Sequence, residues 1–230
     1  MRLKIYKTSI VLAFLMAFTT TSIAAETIAV VLKVKGKVTV NRGDKASSVK
    51  PKRGLRLQHG DKLVTGPKSY AAIRFIDDAS LLRIRSNSTC RIQGKKVKNE
   101  IIKNVFLEAG TILARVTQQK GKFEISTPTS VASVKGTEWI TEQRLTGGTF
   151  YYGLGGVVEL TSEGGTALLH EDETGYVASK SAAPTVQKTK PGTVPKFDEF
   201  GEDSDLFEFE FENDEGQKKI LQFESSKVEE

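Results

Sequence analysis

Cysteine is almost absent: Cys90 is the single one in 230 residues. No intramolecular disulfide can form, and no multi-cysteine zinc site exists. Histidine is nearly as scarce, with His59 and His170 far apart in the chain. That leaves little material for His-rich metal sites or Ser-His-Asp chemistry. The 6 prolines and 20 glycines exclude a collagen-like composition. After residue 25 no apolar run is long enough to span a bilayer. The apolar share, 38%, is low for a globular chain and points to a polar segment.

What is present begins with an address. Arg2, Lys4 and Lys7 give a basic start, and residues 10–18 form an apolar stretch. Polar, small residues follow, and Ser22-Ile23-Ala24 offers small-x-small cleavage geometry. This pattern predicts a signal peptide over 1–25, cut after Ala24 or Ala25, and a periplasmic or secreted product. No transmembrane helix is expected after cleavage.

Charge is segregated along the remainder. Residues 25–196 carry 28 Lys+Arg and 15 Asp+Glu, whereas 197–230 carry 3 Lys and 13 Asp+Glu. A basic body is thus joined to an acidic tail. The stretch 180–196, rich in Pro, Lys, Thr and Ser, reads as a semi-extended linker between them.

The body, 26–179, reads as a series of short strands. Val34, Gly36, Val38 and Val40 share one parity, and 70–75 forms a strand turned by Asp77-Asp78. Leu82, Ile84, Ser86, Ser88, Cys90 and Ile92 share a face, with Arg83, Arg85 and Arg91 on the other. Further strands are expected at 101–107, 111–117, 122–126, 138–143, 149–152, 157–161 and 166–170. No stretch shows a helical period. About ten short strands without helix predict a single all-β domain, a β-sandwich or jelly roll, with a β-solenoid-like coil as the alternative.

The order of these signals resembles the FecR domain family. Gly36 to Val40 fits its first strand. Leu57, Gly60-Asp61, Leu63-Val64 and Thr65-Gly66 fit its G-D-x-V-x-T-G turn region, with Leu63 in the Val place. Ala71, Ile73, Phe75, Asp77-Asp78, Leu82 and Ile84 fit the next hairpin, and Leu107, Gly110 and Leu113 fit an L-x-x-G-x-x-L strand. Phe123, Ile125, Thr127-Pro128, Val131-Ala132, Val134 to Thr137, Trp139 and Thr141 fit the F-x-V-x-T-P…V-R-G-T-x-F-x-V segment. Gly155 to Val158 fits the closing strand. The resemblance spans about residues 30–178. It implies an exported β domain. Regulators of that family carry a cytoplasmic sigma-controlling segment before a mid-chain membrane helix; this chain opens on an export signal instead, so the sigma-controlling role is not carried over.

Each conspicuous feature has a structural explanation beside a functional one. Gly60, Asp61, Thr65, Gly66, Gly136, Thr137 and Trp139 read first as turn, strand-entry and core chemistry. Gly153-Leu154-Gly155-Gly156 lacks the Lys-Ser/Thr and helix of a phosphate loop. Cys90 shares parity with apolar neighbours and reads as buried. His59 and His170 would need Asp61 or Asp172 brought close to hold a metal, and no metal or cofactor is expected. Asp77-Asp78 and Glu171-Asp172-Glu173 read as solvated turn acids, whereas a glycosidase needs two carboxylates converging in a cleft. No nucleophile-base signature is present, and no enzymatic activity is expected.

The basic body supplies a candidate anion site at Arg83, Arg85, Arg91, Lys95, Lys96 and Lys98, where Lys103 joins the local lysine cluster. The export signal favours an anionic envelope glycan or lipid, or an acidic protein, over nucleic acid. In the acidic tail, Phe207, Phe209 and Phe211 alternate with glutamates, so an extended chain presents all three on one side. Such a strand can add to a sheet edge, on this chain's own basic body or on a protein partner. The expected function is an exported, non-enzymatic binding or signalling module that recognises a protein or anionic envelope partner. The alternative is a structural envelope protein associating through the acidic Phe-rich strand.

Overall fold

The computed structural model describes residues 26–43, 47–116, 120–134 and 136–197, and the backbone of 206–212 and 218–224. Residues 1–25, where an export signal is expected, lie outside the described residues.

In chain order the body runs β1 (Thr27–Lys35), β2 (Val38–Asn41), β3 (Ser48–Val49), β4 (Arg56–Gln58), β5 (Lys62–Thr65) and β6 (Tyr70–Phe75). Next come β7 (Leu81–Ile84), β8 (Thr89–Val97), β9 (Glu100–Arg115), β10 (Phe123–Ser126), β11 (Val131–Val134) and β12 (Glu138–Gln143). It ends with β13 (Thr149–Gly155), β14 (Val158–Ser162), β15 (Gly165–Leu169), β16 (Glu173–Val177) and β17 (Thr185–Lys188). No helix occurs among the described residues. The chain is all-β, with more strands than the ten legible in sequence. The extra ones are mostly short pieces such as β3, β4 and β17, which carry too few apolar residues to show alternation.

The strands form two layers. A front sheet has the order β4-β1-β6-β7-β9-β12-β13-β16-β17. A back sheet has the order β3-β2-β5-β8-β9-β10-β11-β14-β15. The 16-residue β9 belongs to both, pairing with β8 in the back sheet and with β7 and β12 in the front one. Its bend is at Gly110, whose φ of +105° favours glycine. A Cβ there would meet the Ser88 backbone at 2.5 Å. From β6 onward the chain makes a hairpin in one layer, crosses, and makes the next; β9 and β10 pair in parallel.

Inward parity builds the core. Ile73 and Phe75 of the front sheet face Ile92, Val105 and Phe123 of the back sheet in one apolar cluster. Phe123 contacts Phe75 edge-on at 5.5 Å and Trp139 edge-on at 5.9 Å. Such aromatic pairs stabilise by about 0.5–1.5 kcal/mol each beyond area burial.

The layers correct one geometric expectation. Residues 82–92 are not one strand. The chain turns at Asn87, whose φ is +55°, and passes from β7 in the front sheet to β8 in the back sheet. Both sheets face the same core, so inward parity continues across the corner and hides it. Arg83 therefore lies on the outer side of the front sheet and Arg91 on the outer side of the back sheet.

Residues 180–196 are also more ordered than a spacer. Thr185–Lys188 forms β17 against β16. An edge strand bonded on one side needs no long apolar run, which is why composition concealed it.

Candidate functional site

The turn motifs form scaffold. Gly60, with φ of +86°, and Asp61 turn β4 into β5. The buried Asp61 carboxylate accepts from Arg42 Nη1 at 2.6 Å and from the Gln58 amide at 2.9 Å. Thr65 is buried; its Oγ1 donates to the Arg85 carbonyl and accepts from the Ser88 amide at 2.9 Å, pinning β5 to the β7–β8 corner. Gly66 donates its amide to the Lys37 carbonyl. Gly136, with φ of +81°, leads into Thr137, whose carbonyl accepts from the Val116 amide at 2.9 Å. Trp139 is fully buried, and its Nε1 donates to Thr141 Oγ1 at 3.0 Å. Gly153 to Gly155 ends β13 rather than leading into a helix.

The six basic candidates do not converge. Arg83 and Arg85 belong to the front layer, Arg91 to the outer back layer, and Lys95, Lys96 and Lys98 to the exposed tip of the β8–β9 hairpin. Lys96 pairs with Glu26 at 3.3 Å. The histidines sit apart, His59 against Gly94 and His170 against Glu173. Among the described residues no group of three metal-ligating side chains gathers.

The front sheet's outer face is different. It carries apolar residues that the core does not use: Tyr70 and Ala72 with Leu32, and Leu113, Ile140 and Tyr152 with Phe150 and Leu154. After β17 the chain turns at Gly192, φ +78°, and lays Phe197 over both groups and Val194 over the second. The Arg85 guanidinium stands 5.6 Å from the Phe197 ring centre. The same face holds the Arg115–Glu138 pair and the Arg144–Glu142 pair. Burial, then the charge and hydrogen bond of Glu142, push the Tyr152 hydroxyl up to about 12.

The cluster that sequence reasoning missed is buried. The sequence places Lys103 in a basic cluster with Lys95, Lys96 and Lys98, and reads Asp77-Asp78 as solvated turn acids. Instead, Lys103 Nζ lies 2.7 Å from Asp77 Oδ2 and 2.7 Å from Asp78 Oδ2, with side-chain exposures of 0%, 5% and 0%. It also donates to the Ile101 carbonyl at 3.1 Å and the Lys120 carbonyl at 2.8 Å. Desolvation raises the Asp78 carboxyl, but bonds from Lys103 and Ser80 and the Lys103 charge leave it below its ordinary value. The overlooked signal was parity: Lys103 falls in the inward register of Ile101, Val105 and Leu107.

Cys90 is fully buried; desolvation, then the Glu108 charge, push its thiol up to about 12. In the tail, β18 (Leu206–Glu212) pairs antiparallel with β19 (Lys218–Glu224), with Phe207 opposite Phe223 and Phe209 opposite Leu221. The side chains of Phe207, Phe209 and Phe211 lie outside the described residues. No helix among the described residues is long and apolar enough to cross a membrane.

No curated protein matches the chain. Two crystal structures of a candidate anti-sigma factor from Parabacteroides distasonis ATCC 8503 are similar, at 12% and 13% identity with TM-scores of 0.48 and 0.49. Each match covers 56% of this chain, which in turn spans 60% of that protein's length. Residues 61–152 match the family model described as FecR protein, and over that stretch the chain is similar to FecR proteins.

Proposed function

We propose that this chain is an exported, non-enzymatic FecR-like signalling module that recognises a protein partner through the outer face of its front sheet. The FecR match supports a regulatory rather than chemical role. The observation that carries the choice of surface is the covered apolar face. Leu32, Tyr70, Ile140 and Tyr152 sit outside the core, and among the described residues the chain's own Phe197 packs on both of their groups, with Val194 beside it on the Ile140–Tyr152 group. An aromatic residue held beside an arginine on an apolar sheet face resembles an interface anchor, since Trp, Tyr, Phe and Arg dominate such contacts. The residues after Phe197 are acidic, so the basic body and its acidic extension are complementary where the chain leaves the sheet.

The partner engages this face either beside the Val194–Phe197 strap or in its place. Export rests on the basic, apolar and small-residue pattern of 1–25. The experiment is crosslinking capture from the native envelope by the 26–230 form and by a form carrying Leu32→Glu and Leu154→Glu. Loss of one defined protein from the second form, with folding retained by circular dichroism, supports the face. Equal capture by both forms refutes it. Anionic material released by salt from both forms would instead place recognition on the basic back face and hairpin tip.

A further inference from the structure

The Lys103 cluster holds more than an ion pair requires. One ammonium faces two carboxylates inside the sandwich, between turn 76–78 of the front sheet and β9 of the back sheet. The surroundings are buried and aromatic: Lys103 Nζ is 5.8 Å from the Phe75 ring centre, and Phe75 is stacked edge-on against Phe123. The two carboxylates are not equivalent. Asp78 is anchored by the Ser80 amide at 2.9 Å and the Lys120 amide at 3.3 Å. Asp77 Oδ2 takes the Ile101 amide at 2.9 Å, while Asp77 Oδ1 is buried with no hydrogen-bond partner among the described residues.

We propose that Lys103 and Asp77 condense into an intramolecular amide bond, with Asp78 carrying protons between them. A nitrogen 2.7 Å from a carboxylate oxygen is held close to the near-attack distance of about 3–3.5 Å from its carbon. Asp78 accepts a proton from Lys103, and the free amine attacks Asp77 Cγ. The Ile101 N–H supports the charge that develops on Oδ2, as a backbone donor does in an oxyanion hole. The Nζ–Cγ bond forms and the Cγ–Oδ1 bond breaks. Asp78 delivers the two protons that nitrogen loses to Oδ1, which leaves as water, and Asp78 ends as it began. No oxidant, reductant or cofactor enters the balance. The product fastens the two sheets across the core.

The test is a peptide map of the purified full chain, digested with trypsin after denaturation. The proposed bond blocks cleavage after Lys103. It yields one branched peptide joining 75–83 to 99–115, lighter than the two by one water molecule. Fragmentation should place the junction at Lys103 and Asp77. Linear 75–83 together with cleavage after Lys103 overturns the proposal, and so does a water loss confined to 75–83. Asp78→Asn keeps the side chain's shape and should abolish the branched peptide. A branched peptide at wild-type yield in that variant overturns the proton-carrying role. The map of the unmodified chain decides the bond whether or not the variant folds.

Discussion

Removing the ring at position 197 is the sharpest perturbation of the front face. Phe197 packs against the Tyr70–Ala72 cluster on one side and the Leu113–Ile140–Tyr152 cluster on the other, and it is half-buried. Truncating a fully buried Phe to Ala costs about 3–5 kcal/mol, so a half-buried one should cost about 1.5–2. The Arg85 guanidinium, 5.6 Å from the ring centre, adds about 0.5 kcal/mol at an exposed site. Phe197→Ala should therefore destabilise by about 2 kcal/mol. For a domain of this size that lowers Tm by about 4–8 °C. The uncovered Leu32, Tyr70 and Ile140 should also raise binding of an apolar dye. Phe197→Leu keeps the cover and loses only the cation contact, so its Tm should fall by about 1–2 °C. Calorimetry and dye fluorescence on the three proteins check this. A Phe197→Ala protein with unchanged Tm and unchanged dye binding would refute the idea that the strap covers this face.

Other outcomes follow from named geometry. Gly110→Ala should be among the most damaging single changes, by at least about 3 kcal/mol in urea unfolding, because the new Cβ meets Ser88 backbone at a positive φ. Cys90, fully buried with its thiol pushed up to about 12, should ignore thiol reagents at pH 8 and react only on denaturation. Tyr152, also pushed up to about 12, should ionise later than an ordinary tyrosine near about 10 in ultraviolet titration. The folded value lies above the unfolded one, so this contribution to stability is full below the unfolded value and disappears as pH climbs toward about 12. Glu142→Gln, which removes a neighbouring negative charge, should bring that titration back toward the ordinary range.

Strand parity made the all-β architecture legible, because inward residues such as Ile73, Phe75, Leu82 and Ile92 recur at period two whatever sheet they occupy. The same property concealed the crossings. A chain passing from one layer of a sandwich to the other keeps its apolar side toward the shared core. Arg83 and Arg91 thus shared a parity and ended on opposite outer faces. The bend in β9 was half-visible: Gly110 divided it into two apparent strands, whereas its hydrogen bonding runs through 16 residues. The front face was not readable, since Leu32, Tyr70 and Ile140 look like ordinary strand residues until Phe197 returns over them. Lys103 stood at an inward position among Ile101, Val105 and Leu107, and its charge led to a surface assignment that parity opposed.

The recognition surface is tested most directly by crosslinking capture from the native envelope with three forms side by side: 26–230, Phe197→Ala, and Phe197→Ala with Leu32→Glu. The expected result is one defined protein, enriched by Phe197→Ala because the face is uncovered, and lost when Leu32→Glu places a charge on it. Equal capture by all three forms would contradict recognition through the front sheet.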